Sequence, residues 1–391
     1  MSNQERWLLP DGIEEILPDE ARRLERLRRR LLDLLSLWGY EMVMPPLIEY
    51  LDALLTGTGR DLDLQTFKLT DQLTGRLMGV RADMTPQAAR IDAHYLKRER
   101  PVRLCYVGSV LRTRPDEFAG SRELLQLGAE LFGHPGPESD VEIVRLMLAT
   151  LESAGAPNLH LGLGHVGVFR GLANEARLSE ELEGELFEAL QRKARSQVEA
   201  LLARSDAKAD IKAMLASLLD LNGGHETLAQ ARSAMSDAPR TVQEALANLD
   251  SVAKAVQGRD IPLYFDLAEL RGYRYYTGVV FSAFVPGQGQ AVAQGGRYDG
   301  IGQAFGRARA ATGFSTDLRR LLRLVPLADT GTKGVLAPYV DAADLHQAVE
   351  RLRAEGERVV MRLPGDTTAT AEFGCDRELV QKDGSWVIKP V

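Results

Sequence analysis

The sequence predicts an α+β fold: an antiparallel sheet flanked by helices, interrupted by a helical insertion and followed by a small C-terminal α/β module. Three observations predict it. Two apolar runs, RLCYVGSVLR and RELLQLGAELF, flank the polar loop TRPDEFAGS and give a long-looped antiparallel hairpin between Val102 and Phe132. From about 167 to 256 the chain is rich in Ala, Leu, Glu, Arg and Lys at helical spacing, with a break at Asn222-Gly223-Gly224. From 331 to 391 short strand-like runs (KGVLAPYV, RVVMRLP, SWVIKPV) alternate with one helical pattern, ADLHQAVERLRAEG. The expected division is a core at 1–325 that holds the insertion, and a module at 331–391.

The elements follow in order. A first helix opens near Pro18-Asp19, carries Leu24, Leu27, Leu31, Leu34 and Leu35 on one face, and stops at Gly39. Its arginines are interleaved with Asp19, Glu20 and Glu25, which makes a solvated face the simpler reading over an RNA-binding one. GYEMVMPPLIEY then gives a strand that ends at Pro45-Pro46, where the missing amide donors stop a ladder. In the hairpin, Arg112 stands at the loop's base, and Gln126 and Glu130 share one face of the returning strand. Two readings of that pair stand side by side: buried groups with dedicated partners, or solvated residues of an edge strand. After the insertion, IPLYFDLAELRGYRYYTGVVFSAFVP and QAVAQGGRYDG read as two strands joined by the turn Gly287-Gln288-Gly289-Gln290, and ARAATGFSTDLRRLLRLV as a strand passing into a helix.

Composition excludes several classes. The 391 residues carry a net charge of −7, which gives no long-range attraction to nucleic acid or anionic membrane. Cys105 and Cys375 are the only cysteines and lie far apart, so a disulfide framework is not expected and a reducing cytoplasm is. The six histidines form no ligand-spaced pair, and no apolar run approaches membrane-spanning length, so neither a metal site nor a membrane segment is expected. The chemistry concentrates in Arg271-Gly272-Tyr273-Arg274-Tyr275-Tyr276-Thr277-Gly278 and Gly295-Gly296-Arg297-Tyr298-Asp299-Gly300. A guanidinium, phenols and close-packed glycines on adjacent strands suit a small zwitterion, whose polar groups such a site discriminates strongly. Arg and aromatics at an ordinary strand edge are the alternative.

These segments resemble a family. VLR followed by LLQLGAELFG is similar to motif two of class II aminoacyl-tRNA synthetases, ATGFSTDLRRLL to motif three and GYEMVMPP to motif one. RGYRYYTG and GGRYDG resemble the two histidine-specific motifs of histidyl-tRNA synthetase, and RADMT its amino-acid loop; the resemblance spans roughly 5 to 325. It implies a class II synthetase-like sheet and a pocket for histidine. Asp83, in the place of a family Glu, faces the ligand's α-ammonium with Thr85 and Gln126 beside it. Glu130 and Tyr276 face the imidazole, Tyr275 is the neighbouring aromatic, and Arg271 faces the carboxylate. Gly295 and Gly296 let backbone approach the ring, and Arg112 completes the set. No metal, cofactor or catalytic residue is implied.

The nucleotide side departs from that family. Arg112 is followed by Thr113 and Arg114 where a Glu reads adenine. Gly-Leu-Glu-Arg becomes Asp317-Leu318-Arg319-Arg320, and Leu-Asp becomes Tyr273-Arg274. The tail is also shorter than an anticodon-binding module, so tRNA recognition is not expected. Together these features resemble the regulatory-subunit family of ATP phosphoribosyltransferase. That resemblance implies a cytoplasmic, non-catalytic homodimer within a hetero-oligomer, partnered by a short-form catalytic subunit and sensing L-histidine. A truncated or paralogous histidine-activating enzyme is the alternative, and a nucleic-acid-binding module a third.

Overall fold

The computed structural model describes residues 7–57, 60–115, 120–257, 260–269, 272–273, 275–325 and 333–391. The chain divides into two compact units, Met1–Pro326 and Leu327–Val391. In the first, α1 (Pro18–Leu37) buries Leu24, Leu27, Leu31 and Leu35. On its outer face Arg22 pairs with Asp19, and Arg28 and Arg29 pair with Glu25, so those arginines are a solvated, self-compensated surface. Gly39, at φ 82°, turns the chain into β1 (Glu41–Met42). Pro45 and Pro46 then end that strand as expected, and their carbonyls accept from Arg81 and Gln87 instead of a ladder partner. The chain resumes as β2 (Ile48–Tyr50) in a separate small sheet, passes through α2 (Leu51–Leu55) and α3 (Arg60–Gln65), and completes that sheet with β3 (Phe67–Thr70) and β4 (Leu77–Val80).

Next come α4 (Thr85–Arg90), a π-helical turn at Ile91–Leu96, and the expected hairpin of β5 (Val102–Leu111) and β6 (Glu123–Phe132). α5 (Pro137–Ala154) and β7 (His160–His165) lead into the helical segment. It comprises α6 (Val166–Glu175), α7 (Glu180–Gln191), α8 (Arg195–Arg204), α9 (Ala209–Ser217), the two-residue strand β8 (Asn222–Gly223), α10 (Glu226–Ala234) and α11 (Arg240–Val256). The core closes with β9 (Leu263–Asp266), β10 (Val279–Phe284), β11 (Ala293–Arg297), β12 (Ala311–Asp317) and α12 (Leu318–Leu324). The large sheet runs β1-β5-β6-β12-β11-β10-β7-β9-β8, antiparallel through its middle and parallel only where β1 meets β5 and β7 meets β9.

One expected strand is two. β9 and β10 are separated by a loop that carries the tyrosine-rich run, so the phenols lie on a loop and not on the strand beside β11. Gly272, at φ 66°, starts a tight turn in which its carbonyl accepts from the amides of both Tyr275 and Tyr276 at 2.7 and 2.8 Å, and no ladder can continue through it.

The sheet's two faces do different work. Arg103 and Arg297 project toward α5, where they meet Glu142 and the fully buried Asp140. Tyr106 and Tyr298 project the other way, into a core with Met84, Ala88, Ala89 and Phe132 that α4 covers. The candidate site lies on that second face. His165, at the end of β7, caps α6 by accepting from the Gly167 amide at 3.0 Å; burial, then Arg297 and Arg170, push its pKa down to about 4, which keeps the ring neutral and able to accept.

In the second unit, β13 (Val335–Ala337) lies between β14 (Val359–Met361) and β15 (Arg377–Lys382), and β16 (Ser385–Pro390) pairs with β15. α13 (Ala343–Ala354) buries Leu345, Val349 and Leu352 with Val335, Ala337 and Leu379 in a core of their own. β15 is absent from the sequence expectation because its alternation is laced with charge: Arg377 and Glu378 open it and Lys382 closes it. Asp383 and Gly384, at φ 49° and 76°, make its hairpin turn. Both cysteines are free and buried. Among the described residues no helix is long and apolar enough to cross a membrane.

Candidate functional site

β6 is interior to the sheet, between β5 and β12, so the edge-strand alternative for Gln126 and Glu130 falls away. Both side chains are buried and both have dedicated partners. Gln126 Nε2 donates to Asp83 Oδ1 at 3.0 Å and its Oε1 accepts from the Met84 amide at 2.9 Å. The Asp83 carboxylate also accepts from the Thr85 amide at 2.8 Å, a local turn that starts α4. The α4 entry and β6 are thereby held together around one acid.

Glu130 is 1% exposed. Its Oε1 accepts from the Tyr106 hydroxyl at 2.8 Å and its Oε2 from the Tyr298 hydroxyl. Tyr106 is itself 3.0 Å from Thr85 Oγ1, so with Tyr106 donating to Glu130 the threonine donates to Tyr106. A chain of hydrogen bonds therefore runs Thr85–Tyr106–Glu130, and each link polarises the next. Burial pushes the Glu130 carboxyl up to about 8; the nearby Asp83 charge adds to this, and the two phenols only partly offset it. Tyr106, Tyr298, Tyr275 and Tyr276 are all pushed up, first by burial and then by Glu130 and its neighbours, and stay neutral donors.

Tyr275 stacks on Tyr298 with ring centroids 5.1 Å apart and meets Tyr276 edge-on at 5.2 Å. Its hydroxyl is buried without a hydrogen-bond partner among the described residues. A Cβ at Gly296 would lie 2.8 Å from the Tyr276 ring, so that glycine lets the phenol settle against β11. At Gly295 the nearest atoms are also the protein's own, the Gly313 carbonyl and the Phe281 ring. Arg112 lies at the edge of this group, its Nε donating to the Ala82 carbonyl at 3.4 Å, one residue before Asp83. Arg271 and Arg274 lie outside the described residues.

The structure thus brings Asp83, Thr85, Gln126, Glu130, Tyr275 and Tyr276 together on one face of the sheet, over β6 and β11, and the proposed ligand recess is the space among them. It adds Tyr106, Tyr298 and Gly313, which sequence reasoning did not assign. Gly128 is the missed signal for Tyr106: a glycine inside a strand marks a close approach, and here a Cβ would fall on the Tyr106 ring directly across the ladder. Gly313 pairs with Glu130 in the ladder, and a Cβ there would fall on the Glu130 carboxylate. Gly313→Ala should displace that carboxylate and cost roughly tenfold in affinity for the site's ligand, measured by calorimetry, since a hydrogen bond from the ligand to a misplaced Glu130 would be lost and one such bond is worth about that much.

Comparison with known proteins decides the family. A protein of Alkalilimnicola ehrlichii named ATP phosphoribosyltransferase regulatory subunit is 57% identical over 396 residues, covering 100% of this chain and 98% of that one. A Pseudomonas aeruginosa protein of the same name is 57% identical over 395 residues, covering 100% of both. The chain belongs to the ATP phosphoribosyltransferase regulatory-subunit family. Residues 332–389 match the ATP phosphoribosyltransferase subunit HisZ C-terminal domain, and residues 12–321 match the histidyl-tRNA synthetase family. Among solved structures, an ATP phosphoribosyltransferase regulatory subunit/histidyl-tRNA synthetase from Bacillus halodurans superposes with a TM-score of 0.82 at 30% identity, over 94% of this chain and 95% of that one. Histidyl-tRNA synthetase from Nostoc sp. gives 0.75 at 16% identity over 98% and 94%, which marks the shared class II synthetase-like fold.

In this member of the regulatory-subunit family the altered motif-three residues have internal partners. The Asp317 carboxylate caps α12 through the Arg319 amide and also accepts from the Leu125 amide, both at 3.1 Å. The Arg319 guanidinium is buried and donates to the carbonyls of Glu123 and Glu14 at 3.1 and 2.9 Å. Arg320 donates to the Gln290 carbonyl at 3.3 Å. An acid and a cation so engaged tie the end of β12 to the hairpin base and to the N-terminal segment.

Proposed function

We propose that this chain is a non-catalytic regulatory subunit of ATP phosphoribosyltransferase, and that it works with a short-form catalytic subunit in the first step of histidine biosynthesis. In this reading it binds L-histidine in the recess around Glu130 and conveys feedback inhibition from there. The observation that carries the reading is the buried acid Glu130, held between two phenols and linked by Tyr106 to Thr85, beside a second acid, Asp83. Two separate acids in one polar group suit a ligand that carries both an α-ammonium and an imidazole. Arg271 is assigned to the carboxylate by resemblance alone.

Loss of adenylation fits the nucleotide side, where Asp317 and Arg319 hold the fold together instead of facing phosphates or a metal ion. Homodimer formation is carried over from the family resemblance, and the exposed Leu37 at the end of α1 and Met44 after β1 leave apolar surface there for a partner. Cytoplasmic residence is part of this reading, and two free, buried cysteines are compatible with a reducing compartment. Feedback asks for a coupling free energy of only about 1–3 kcal/mol, and linkage requires the partner's ligands to alter histidine affinity by the same factor.

The test is calorimetric titration of the purified chain with L-histidine and with ATP, each with and without a short-form catalytic subunit. Histidine should bind without ATP, its affinity should shift when the catalytic chain is present, and the complex should turn over ATP and phosphoribosyl pyrophosphate with histidine-sensitive rates. Histidine-dependent exchange between pyrophosphate and ATP by the chain alone would overturn the proposal in favour of a histidine-activating enzyme.

A further inference from the structure

The tyrosine-rich loop has two sides, and only one faces the recess. Tyr275 and Tyr276 point in. Tyr273 points away: it is 8% exposed, its ring lies against Phe169 of α6 and Phe187 of α7 with centroids 5.2 and 5.4 Å away, and its hydroxyl donates to Glu183 of α7 at 2.5 Å. From α6, Arg170 stacks its guanidinium over the Tyr273 ring at 4.8 Å. A single guanidinium nitrogen of Arg170 donates to the carbonyls of both Tyr273 and Tyr276, at 2.8 and 3.0 Å. Among the described residues the loop's own turn uses the Gly272 carbonyl and the Thr277 amide is held by the Arg297 carbonyl of β11, while the two bonds from Arg170 fix the Tyr273 and Tyr276 carbonyls from the side of α6.

The same helix is tied to the sheet at its start. The Val166 amide donates to the Gly278 carbonyl at the loop's far end, and His165 caps α6 beside it. The loop is therefore held from outside by α6 and α7, through Phe169, Arg170, Glu183 and Phe187, while its inner side carries a buried Tyr275 hydroxyl with no hydrogen-bond partner among the described residues. A ligand that gave the Tyr275 hydroxyl a partner would make a contact that depends on where the loop sits, and a differential contact of this kind is what moves a loop between positions. Tyr273, a departure from the synthetase pattern that the histidine contacts do not use, has a role in this arrangement.

We propose that Arg170 is a positioning residue for the recess, and that the Tyr273–Glu183 contact, which lies outside the recess, couples its occupancy to helix α7. This rests on the recess binding histidine. Through them the helical segment becomes the part of the first unit that reports whether the recess is filled. Arg170 acts on Tyr276 through the backbone, and Tyr273 carries loop movement outward to α7.

The experiment is amide hydrogen exchange on the full chain with and without saturating histidine, joined to calorimetric affinities, for wild type, Tyr273→Phe, Arg170→Gln and Arg170→Lys. In wild type, histidine should slow exchange across residues 180–191 by roughly threefold or more, as expected when a local opening is stabilised. Tyr273→Phe removes one oxygen. It should keep the wild-type melting temperature and histidine affinity within about threefold, yet lose the ligand-induced protection of α7. Arg170→Gln should weaken histidine roughly tenfold with partial recovery in Arg170→Lys. If Arg170→Gln fails to fold, Tyr273→Phe alone decides. Histidine binding with unchanged α7 exchange in wild type, or full α7 protection in Tyr273→Phe, overturns the coupling and leaves the histidine site standing. A wild-type chain that binds no histidine overturns both.

Discussion

Glu130→Ala should abolish measurable histidine binding and also weaken the fold, whereas Glu130→Gln should cost binding alone. The alanine removes the acceptor for the Tyr106 and Tyr298 hydroxyls, both fully buried, and leaves Thr85 at the end of a broken chain. Each orphaned buried hydroxyl costs about 1–3 kcal/mol. Part of that is recovered because the carboxyl was itself strained by burial, so a net loss of about 1–3 kcal/mol is expected in thermal unfolding. Glutamine keeps the shape and one acceptor, and its amide can donate to Tyr298. What it lacks is the charge for an imidazolium. Loss of one ionic hydrogen bond, worth about 1.5–3 kcal/mol, predicts a roughly 10- to 150-fold weaker histidine affinity with a melting temperature near wild type. Wild-type histidine affinity in Glu130→Gln would remove Glu130 from the site.

Much of this was legible in the sequence because it depends on local pattern. The α1 leucines, the break at Pro45-Pro46, the β5–β6 hairpin and the β12–α12 junction follow from spacing and from proline's missing amide. Glu130 and Gln126 could be paired because a strand's period of two puts them on one face. The tyrosine-rich run misleads for a physical reason. Its aromatic and β-branched residues favour a strand, but Gly272 in the left-handed region and the Arg170 bonds to two carbonyls override that propensity. Arg170 lies about a hundred residues upstream on another element, so no local signal could reveal it. Tyr106 and Tyr298 were likewise hidden: their partnership with Glu130 is a property of strand register, and only two glycines hint at it, Gly128 across from Tyr106 and Gly313 across from Glu130.

Histidine affinity should be level between about pH 6.5 and 8 and fall on both sides, by roughly tenfold per unit. The argument is a proton count. The empty recess holds one proton on Glu130 below about 8, and free histidine's imidazole holds one below about 6.5. In the complex, the carboxyl and the imidazole share a single proton, whichever atom carries it. Between the two pKa values the separated partners also hold one, so binding moves none. Above about 8 they hold none and binding must take one up, and loss of the ligand's α-ammonium proton acts in the same direction. Below about 6.5 they hold two and binding must release one. The same raised carboxyl fixes a sign for the ligand-free chain: the folded state keeps a proton that the unfolded state has lost. Glu130's contribution to stability therefore declines as pH climbs from its ordinary 4.5 toward about 8, and is constant beyond. Calorimetry in buffers of different ionisation enthalpy measures the count directly: near zero at about pH 7, uptake at about 9 and release at about 5.5. Glu130→Gln should keep the acid limb and lose the carboxyl's part of the alkaline one. Affinity that instead rose steadily toward acid pH would mean that Glu130 is already ionised in the empty recess, with burial too weak to hold its proton.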